Sequence, residues 1–240
     1  KSGRRRMSDQ HVKYNPHFSP CFTSEHRYLM LKGGAGSGKS VFAAQKICGR
    51  TINEAGHRFL VLRKVSNTIR ESVWELIQET FKSMGHFHLL KIHETNRTIE
   101  YIPNGNKILF AGIDDPEKLK SITKITGAWL EEITEFDERD FDQLDLRLRG
   151  WTRWFKQIIG TFNPVDAQHW IKPKFFDEQS DDVMTNESTF RVNKFIDEEY
   201  KRILLTRFKS NPNWYNIYVL GLWGSPQTGL EFYHRFNSGI

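Results

Sequence analysis

Eight residues, Gly33-Gly34-Ala35-Gly36-Ser37-Gly38-Lys39-Ser40, constrain this chain more than any other feature in it. They meet the pattern G-x-x-x-x-G-K-[ST] at every fixed position. Average residue usage produces such a match by chance, in a chain of this length, with a probability on the order of 1 in 100. The apolar run Tyr28-Leu29-Met30-Leu31 precedes the motif and reads as a buried strand. Ser40 to Ile52 follows it and reads as a helix, with Val41, Phe42, Ala44 and Ile47 as its apolar positions. Strand, glycine-rich turn and helix in that order gather backbone N–H groups and the positive end of a helix dipole around one point, where phosphate oxygens can sit. The expected nucleotide-binding residues are Gly33, Gly34, Ala35, Gly36, Ser37, Gly38, Lys39, Ser40 and Val41. Lys39 is expected to reach the β- and γ-phosphates, and the Ser40 hydroxyl to hold Mg2+. The competing reading is a glycine-rich turn that binds nothing.

The rest of the chain suits a fold that presents such a loop. Phe59-Leu60-Val61-Leu62, Ala128-Trp129-Leu130 and Gln157-Ile158-Ile159-Gly160 are further short apolar runs that read as buried strands. Asn67 to Met84 reads as a long helix with Ile69, Val73, Trp74, Ile77 and Phe81 on one face. Thr98–Ile102 and Lys107–Ala111 flank Pro103-Asn104-Gly105-Asn106, a hairpin with a four-residue loop. Strands alternating with helices predict an α/β fold with a mainly parallel sheet covered on both faces. The length, 240 residues, favours one large domain with at most a small appendage. After about Asn163 the chain turns polar, acidic and then aromatic. The predicted division is an arm over 1–24, a core over 25–169, a small helical linker subdomain over 170–225, and the opening of another domain over 226–240. Lys1 to Arg6 are basic and precede Met7, which is read as the native start with tag residues before it; a natural basic arm touching nucleic acid is the other reading.

Composition excludes some classes. Hydrophobic residues at 38% and aromatics at 13% are too many for a disordered chain. Two cysteines, Cys21 and Cys48, provide neither a disulfide scaffold nor a cysteine-rich zinc site, and are expected as free thiols. No run approaches 18 apolar residues, so no membrane partner is expected. The formal net charge of +6 hints at a polyanionic partner.

A second acidic motif separates hydrolysis from other phosphate chemistry. The predicted strand Ala128-Trp129-Leu130 leads directly into Glu131-Glu132. Two carboxylates there suit two roles: Glu131 in the magnesium shell, and Glu132 orienting and deprotonating an attacking water. The alternative is an acid-rich helix start stabilised by the dipole. Gly160-Thr161-Phe162-Asn163-Pro164 closes the next strand, where open α/β sheets bind ligands. Asn163 either senses the γ-phosphate or makes a plain Asn-Pro turn. Arg27 and Tyr28 are near enough in sequence to be suspected of touching a nucleobase.

Taken in chain order, Lys32–Ser40, Leu62-Arg63-Lys64, Gly112-Ile113-Asp114-Asp115-Pro116, Trp129-Leu130-Glu131-Glu132, Leu146-Arg147-Leu148-Arg149 and Thr161-Phe162-Asn163-Pro164 with His169-Trp170 resemble the large subunit of a tailed-phage terminase. The likeness covers roughly 25–225, the N-terminal ATPase domain of that family. It implies a P-loop NTPase of the additional-strand, catalytic-glutamate type that uses ATP and Mg2+. It also implies ATP-driven, sequence-independent movement of double-stranded DNA into an empty procapsid. Implied partners are a portal protein, a small terminase subunit and further copies in a ring, with a monomer expected in solution. The implied location is the host cell cytoplasm at the procapsid portal, not the mature virion. Two departures stand out. Many family members carry an arginine in the phosphate loop where this chain has Ala35, and family members carry a C-terminal nuclease of ribonuclease-H type. Glu231-Phe232-Tyr233-His234 looks like the opening strand of that nuclease, so no cleavage activity is expected of these residues.

A hydrolysing motor also needs a cation near the γ-phosphate. Arg63, Lys120, Arg147 and Arg149 are the candidates, and Lys120 lies where related motors place a residue acting on the neighbouring subunit. DNA contact is expected from Arg63, Lys64, Arg70, Lys118, Lys120 and Lys124, through phosphates rather than base edges. A helicase would need a second motor domain. A small-molecule kinase would need an acceptor pocket, and Glu132 beside Glu131 argues against it.

Overall fold

The computed structural model describes residues 13–114, 121–207 and 209–225. Its strands are β1 (Tyr28–Gly33), β2 (Arg58–Arg63), β3 (Leu90–His93), β4 (Thr98–Tyr101), β5 (Asn106–Gly112), β6 (Gly127–Glu131), β7 (Gln157–Phe162) and β8 (Val183–Ser188). They form one eight-stranded sheet in the order β3-β4-β5-β2-β6-β7-β1-β8. Neighbours from β5 through to β8 pair in parallel, while β3 and β4 extend one edge antiparallel. Among the described residues the α-helices are α1 (Ser19–Thr23), α2 (Lys39–Asn53), α3 (Glu75–Ser83), α4 (Glu138–Asp145), α5 (Glu198–Arg207) and α6 (Pro212–Trp214).

The sheet is apolar on both faces, which explains why its strands read as continuous hydrophobic runs. Successive side chains alternate between the faces. Leu29, Leu31, Phe59, Val61, Phe110, Trp129 and Ile159 join the cluster under α2 and α3, with Phe42, Ile47, Ile77 and Phe81. Met30, Leu60, Leu62, Leu109, Leu130, Ile158 and Phe162 join the other cluster, closed by Phe141 and Leu144 of α4 with Leu148, Ile171 and Phe175. Cys21 and Cys48 are buried free thiols.

Three expectations are corrected. Val183–Ser188, assigned to a helical linker, is the eighth strand and pairs in parallel with β1. It was illegible because an edge strand keeps one flank half-exposed, and Val-Met-Thr-Asn-Glu-Ser carries no apolar run. The described end of the supposed arm is packed: Phe18 stacks on Phe42 at 4.8 Å, and Cys21 is fully buried. Lys46 of α2 secures it by donating to the carbonyls of Cys21, Phe22 and Ser24 at 2.7, 3.1 and 2.8 Å. Burial, foremost, pushes the Lys46 pKa down to about 8. The single helix expected over 67–84 is a 3-10 turn at Ser66–Thr68, a π-helical turn at Arg70–Trp74, and then α3. The readings placed on Lys1–Arg6, Met7, Lys118, Lys120 and 226–240 fall outside the described residues, as does the side chain of Arg70.

A buried polar cluster joins α2 to the start of β2. Glu54 Oε2 accepts from Arg50 Nε at 2.9 Å and lies 2.6 Å from His57 Nε2, while Arg50 also donates to Phe155 O at 2.8 Å. Burial, aided by Arg50, holds His57 below its ordinary 6.5. Burial works to raise Glu54, but bonds from His57 and Arg50 outweigh it and hold the carboxyl below 4.5. Both groups therefore bind protons more readily in the unfolded chain. Their stabilisation is complete above about pH 6.5 and is lost as pH falls, first through His57 and then through Glu54. Thermal melting followed from pH 7.5 to pH 4.5 should show a falling Tm. The upper part of that fall should be shallower in His57→Asn; an unchanged slope would remove His57 from the account.

Candidate nucleotide site

The parallel strands deliver the functional residues to one edge. Gly33, Arg63, Gly112, Glu131 and Ser188 end β1, β2, β5, β6 and β8 there, and Asn163 follows the last residue of β7. The phosphate loop leaves β1 and enters α2 through Gly38, whose φ of 89° matches the left-handed region open to glycine.

Protein atoms hold the outer side of the loop. Gly34 N donates to Ser188 O at 3.0 Å, and Ala35 N to Tyr218 O at 2.8 Å. A Cβ on Gly34 would stand 2.6 Å from Tyr218 O, so only glycine admits that carbonyl. The N–H groups of Gly34 and Ala35 are thus engaged within the protein. That leaves Gly36–Val41, which includes first-turn N–H groups of α2 that no helix satisfies internally. Ala35 packs on a small apolar cluster of Phe190, Leu204 and Val219.

Inside the loop, Lys39 is only 6% exposed. Its Nζ donates to Asn163 Oδ1 at 2.9 Å and lies 3.4 Å from Gly34 O. Burial lowers its pKa, against the pull of Glu132 and Glu131. Ser40 Oγ donates to Glu131 Oε1 at 2.7 Å. Glu131 Oε2 accepts from the Thr161 hydroxyl, and Thr161 Oγ1 in turn accepts from the Trp129 indole N–H at 2.8 Å. Register explains the chain of bonds, since Glu131 of β6 stands beside Thr161 of β7. Burial, then the neighbouring Glu132, raises the Glu131 pKa, while Thr161, Ser40 and Lys39 oppose the rise.

Glu132 is half-buried and sits at φ 54°, ψ 56°, left-handed for a non-glycine residue. That conformation costs of order 1 kcal/mol or more and is typical of functional positions. Burial raises the Tyr218 hydroxyl's pKa, and the charge of Glu132 adds to the rise.

The residues fit a bound nucleotide with a metal. Ser40 and Glu131 offer hard oxygen donors of the kind Mg2+ takes. Ser37 Oγ is buried without a protein partner, between Gly36 and Gly38 of the loop. Val41, on the first turn of α2, is 46% exposed.

The basic candidates separate. Arg63 Nη2 lies 3.8 Å from Glu135 Oε1, in the turn that follows β6, with its Nε buried and unpartnered. Lys64 pairs with Asp140 at 2.8 Å. Arg147 and Arg149 line another groove, of about 500 Å³, with Lys124 and Gln143. Arg27 and Tyr28 bind Asp145 at the opposite end of β1, with Arg27 Nη2 at 2.6 Å and the Tyr28 hydroxyl at 2.9 Å. That removes them from the nucleotide. Sequence reasoning missed Ser188, Asn193 and Tyr218 as supports of the site. No local pattern marks them, because each acts from a distant segment.

Residues 25–222 match the phage terminase large subunit family. The PBSX phage terminase large subunit of Bacillus subtilis (strain 168) is 31% identical over 230 residues, covering 88% of this chain and 52% of that protein. The large terminase of a thermophilic bacteriophage, in complex with ADP, superposes with a TM-score of 0.74 at 16% identity, over 88% of this chain and 54% of that one. The Thermus phage P74-26 large terminase ATPase domain gives a TM-score of 0.64 at 12% identity, over 84% of this chain and 90% of that one. The chain thus spans about half the length of the curated relative it matches, and its fold is that of terminase ATPase domains, a P-loop NTPase fold.

Proposed function

The chain belongs to the phage terminase large subunit family, and from that premise we propose that it is an ATPase motor domain, hydrolysing Mg-ATP to translocate double-stranded DNA into a procapsid. The observation that carries the reading is the pair at the end of β6. Glu131 is bonded to the phosphate-loop Ser40 at 2.7 Å, and Glu132 is turned out beside it by a left-handed backbone.

The residues divide the chemistry. N–H groups from Gly36 to Val41 and the Lys39 ammonium receive the phosphates. Ser40 and Glu131 would hold Mg2+, which when bound neutralises phosphate charge. Glu132 orients a water and accepts its proton as that water attacks the γ-phosphorus; the bond from that phosphorus to the β–γ bridging oxygen breaks, and ADP leaves with inorganic phosphate as the other product. Asn163 Oδ1 already accepts from Lys39 at 2.9 Å, so a γ-phosphate competes with it for the ammonium. That competition lets β7 register whether the nucleotide carries a third phosphate. A cation from a neighbouring copy completes the site, with Lys120, Arg147 and Arg149 as its candidate sources and Arg63 or Arg149 as the source within the chain. Turnover per subunit should then rise with protein concentration, and a flat rate would favour Arg63 or Arg149 within the same chain.

The same reading brings a portal protein, a small terminase subunit, a ring on the procapsid, and work in the host cytoplasm. Its test is steady-state ATP hydrolysis by the full-length protein, alone, with duplex DNA, and with portal-bearing procapsids. Turnover is expected to rise on assembly with DNA; absence of hydrolysis under every condition would sink the proposal.

Binding to duplex DNA should be sequence-independent and salt-dependent, since a motor needs only phosphate grip. Each phosphate contact adds about −0.9 to the slope of log affinity against log salt. Arg149 is exposed, whereas Lys64 is engaged by Asp140. Arg149→Ala should therefore reduce the slope more than Lys64→Ala in fluorescence-anisotropy titrations. A footprint on one sequence that survives high salt would contradict the motor reading.

A further inference from the structure

We infer that Asn193 is a positioning residue for the phosphate loop, holding Gly36 in the shape that receives a nucleotide phosphate; the inference rests on the nucleotide reading above. Asn193 lies 30 residues beyond Asn163 in sequence, in a segment that no motif marks. β8 brings it to the site. After Ser188 the chain makes a 3-10 turn at Phe190–Val192, started by the Thr189 side chain, which accepts from Arg191 N. Phe190 is buried with Leu204 and Val219 against Ala35 of the loop, which anchors the turn.

The Asn193 side chain is bonded at both ends. Its Nδ2 donates to Gly36 O at 2.8 Å, and its Oδ1 accepts from Phe195 N at 3.0 Å. The two bonds assign the amide's orientation, because each end has a partner of opposite type. Gly36 and Gly38 hold φ of 70° and 89° on either side of Ser37. The amide reaches both glycines, since its nitrogen lies 3.5 Å from where a Gly38 Cβ would stand. A Cβ on Gly36 would fall 2.6 Å from Ile196 and 2.8 Å from Tyr200, so residues 193–200 cover the loop closely. Glycine pairs are the least conformationally restrained backbone available. Without an external bond the carbonyl of Gly36 can rotate, and the N–H groups that converge on a phosphate disperse. Fixing that carbonyl acts on binding of ADP and ATP alike, and not on the base Glu132.

The test is titration of the purified protein with fluorescent ADP and ATP analogues, beside ATP turnover and thermal melting. Asn193→Ala should weaken both analogues about fivefold, the worth of one neutral hydrogen bond. The rise in KM for ATP should exceed any fall in kcat. Asn193→Asp keeps the acceptor for Phe195 N but replaces the donor to Gly36 O with a negative charge near the phosphates. It should bind both analogues more weakly than Asn193→Ala when the two are compared well below the Tm of either variant. That ordering is one a merely structural role would not produce, and it holds even if the alanine variant melts early. If wild-type protein binds and Asn193→Ala binds within twofold of it, or Asn193→Asp binds as well as wild type, the inference falls alone. If wild-type protein binds neither analogue, the nucleotide reading falls and takes the inference with it.

Discussion

Replacing Glu132 by glutamine should leave nucleotide binding intact and reduce hydrolysis by ~10²–10⁴-fold, the usual cost of losing a general base. The substitution is clean for structural reasons. Glutamine has the same branching and length, so the left-handed backbone at φ 54° is neither relieved nor strained further. Lys39, Ser40 and Glu131 keep their bonds, since none of those bonds ends on Glu132. The amide cannot accept a proton from water at neutral pH, and that capacity alone is removed. Single-turnover hydrolysis and analogue titration on the same preparation separate the two quantities. Glu131→Gln is the control. It disturbs the oxygen that accepts from Ser40 and should shift the Mg2+ dependence more than the rate at saturating metal. Equal, mild effects from the two substitutions would show that the division of roles between the carboxylates is wrong.

Lys39→Ala should abolish measurable nucleotide binding, or weaken it by at least ~10²-fold, without unfolding the chain. Hydrogen bonds from a charged donor contribute about 1.5–3 kcal/mol each, and the ammonium can make more than one to a polyphosphate. The expected stability change is small because opposing effects meet at this side chain. Its burial disfavours the charged form, as the lowered pKa records, so removing it relieves a desolvation cost. Against that, Asn163 Oδ1 loses its donor and Glu131 and Glu132 lose a nearby positive charge. Thermal melting beside titration decides the matter. A variant that hydrolyses ATP near the wild-type rate overturns the phosphate-loop reading, and one whose Tm collapses shows Lys39 to be structural.

Both predictions depend on parts of the molecule that differ in how far they could be read in advance. The phosphate loop, the strand before it and the helix after it are local, and so were legible. Glycine spacing, the Lys-Ser pair and a switch from apolar run to amphipathic helix all lie within 25 residues. Glu131-Glu132 was legible for the same reason, as two acids at the end of an apolar strand. The hairpin around Pro103-Asn104-Gly105-Asn106 followed from turn chemistry, and β4 and β5 do pair antiparallel across it.

The sequence by itself therefore determined which strands form the centre of the sheet and which residues enter the site from β1, α2, β6 and β7. Only the tertiary structure decided what surrounds them. β8 escaped notice because a half-exposed edge strand needs no apolar run, yet pairing with β1 carries Ser188 to Gly34 and, beyond it, Asn193 to Gly36. The chain then returns through a turn at 215–220, whose Tyr218 carbonyl takes the Ala35 N–H and leaves no room for a side chain at Gly34. These supports are backbone carbonyls and one amide, drawn from segments more than 150 residues away. A backbone group looks the same in every residue, so its use as a partner is written in the path of the chain and not in the identity of the residue that supplies it.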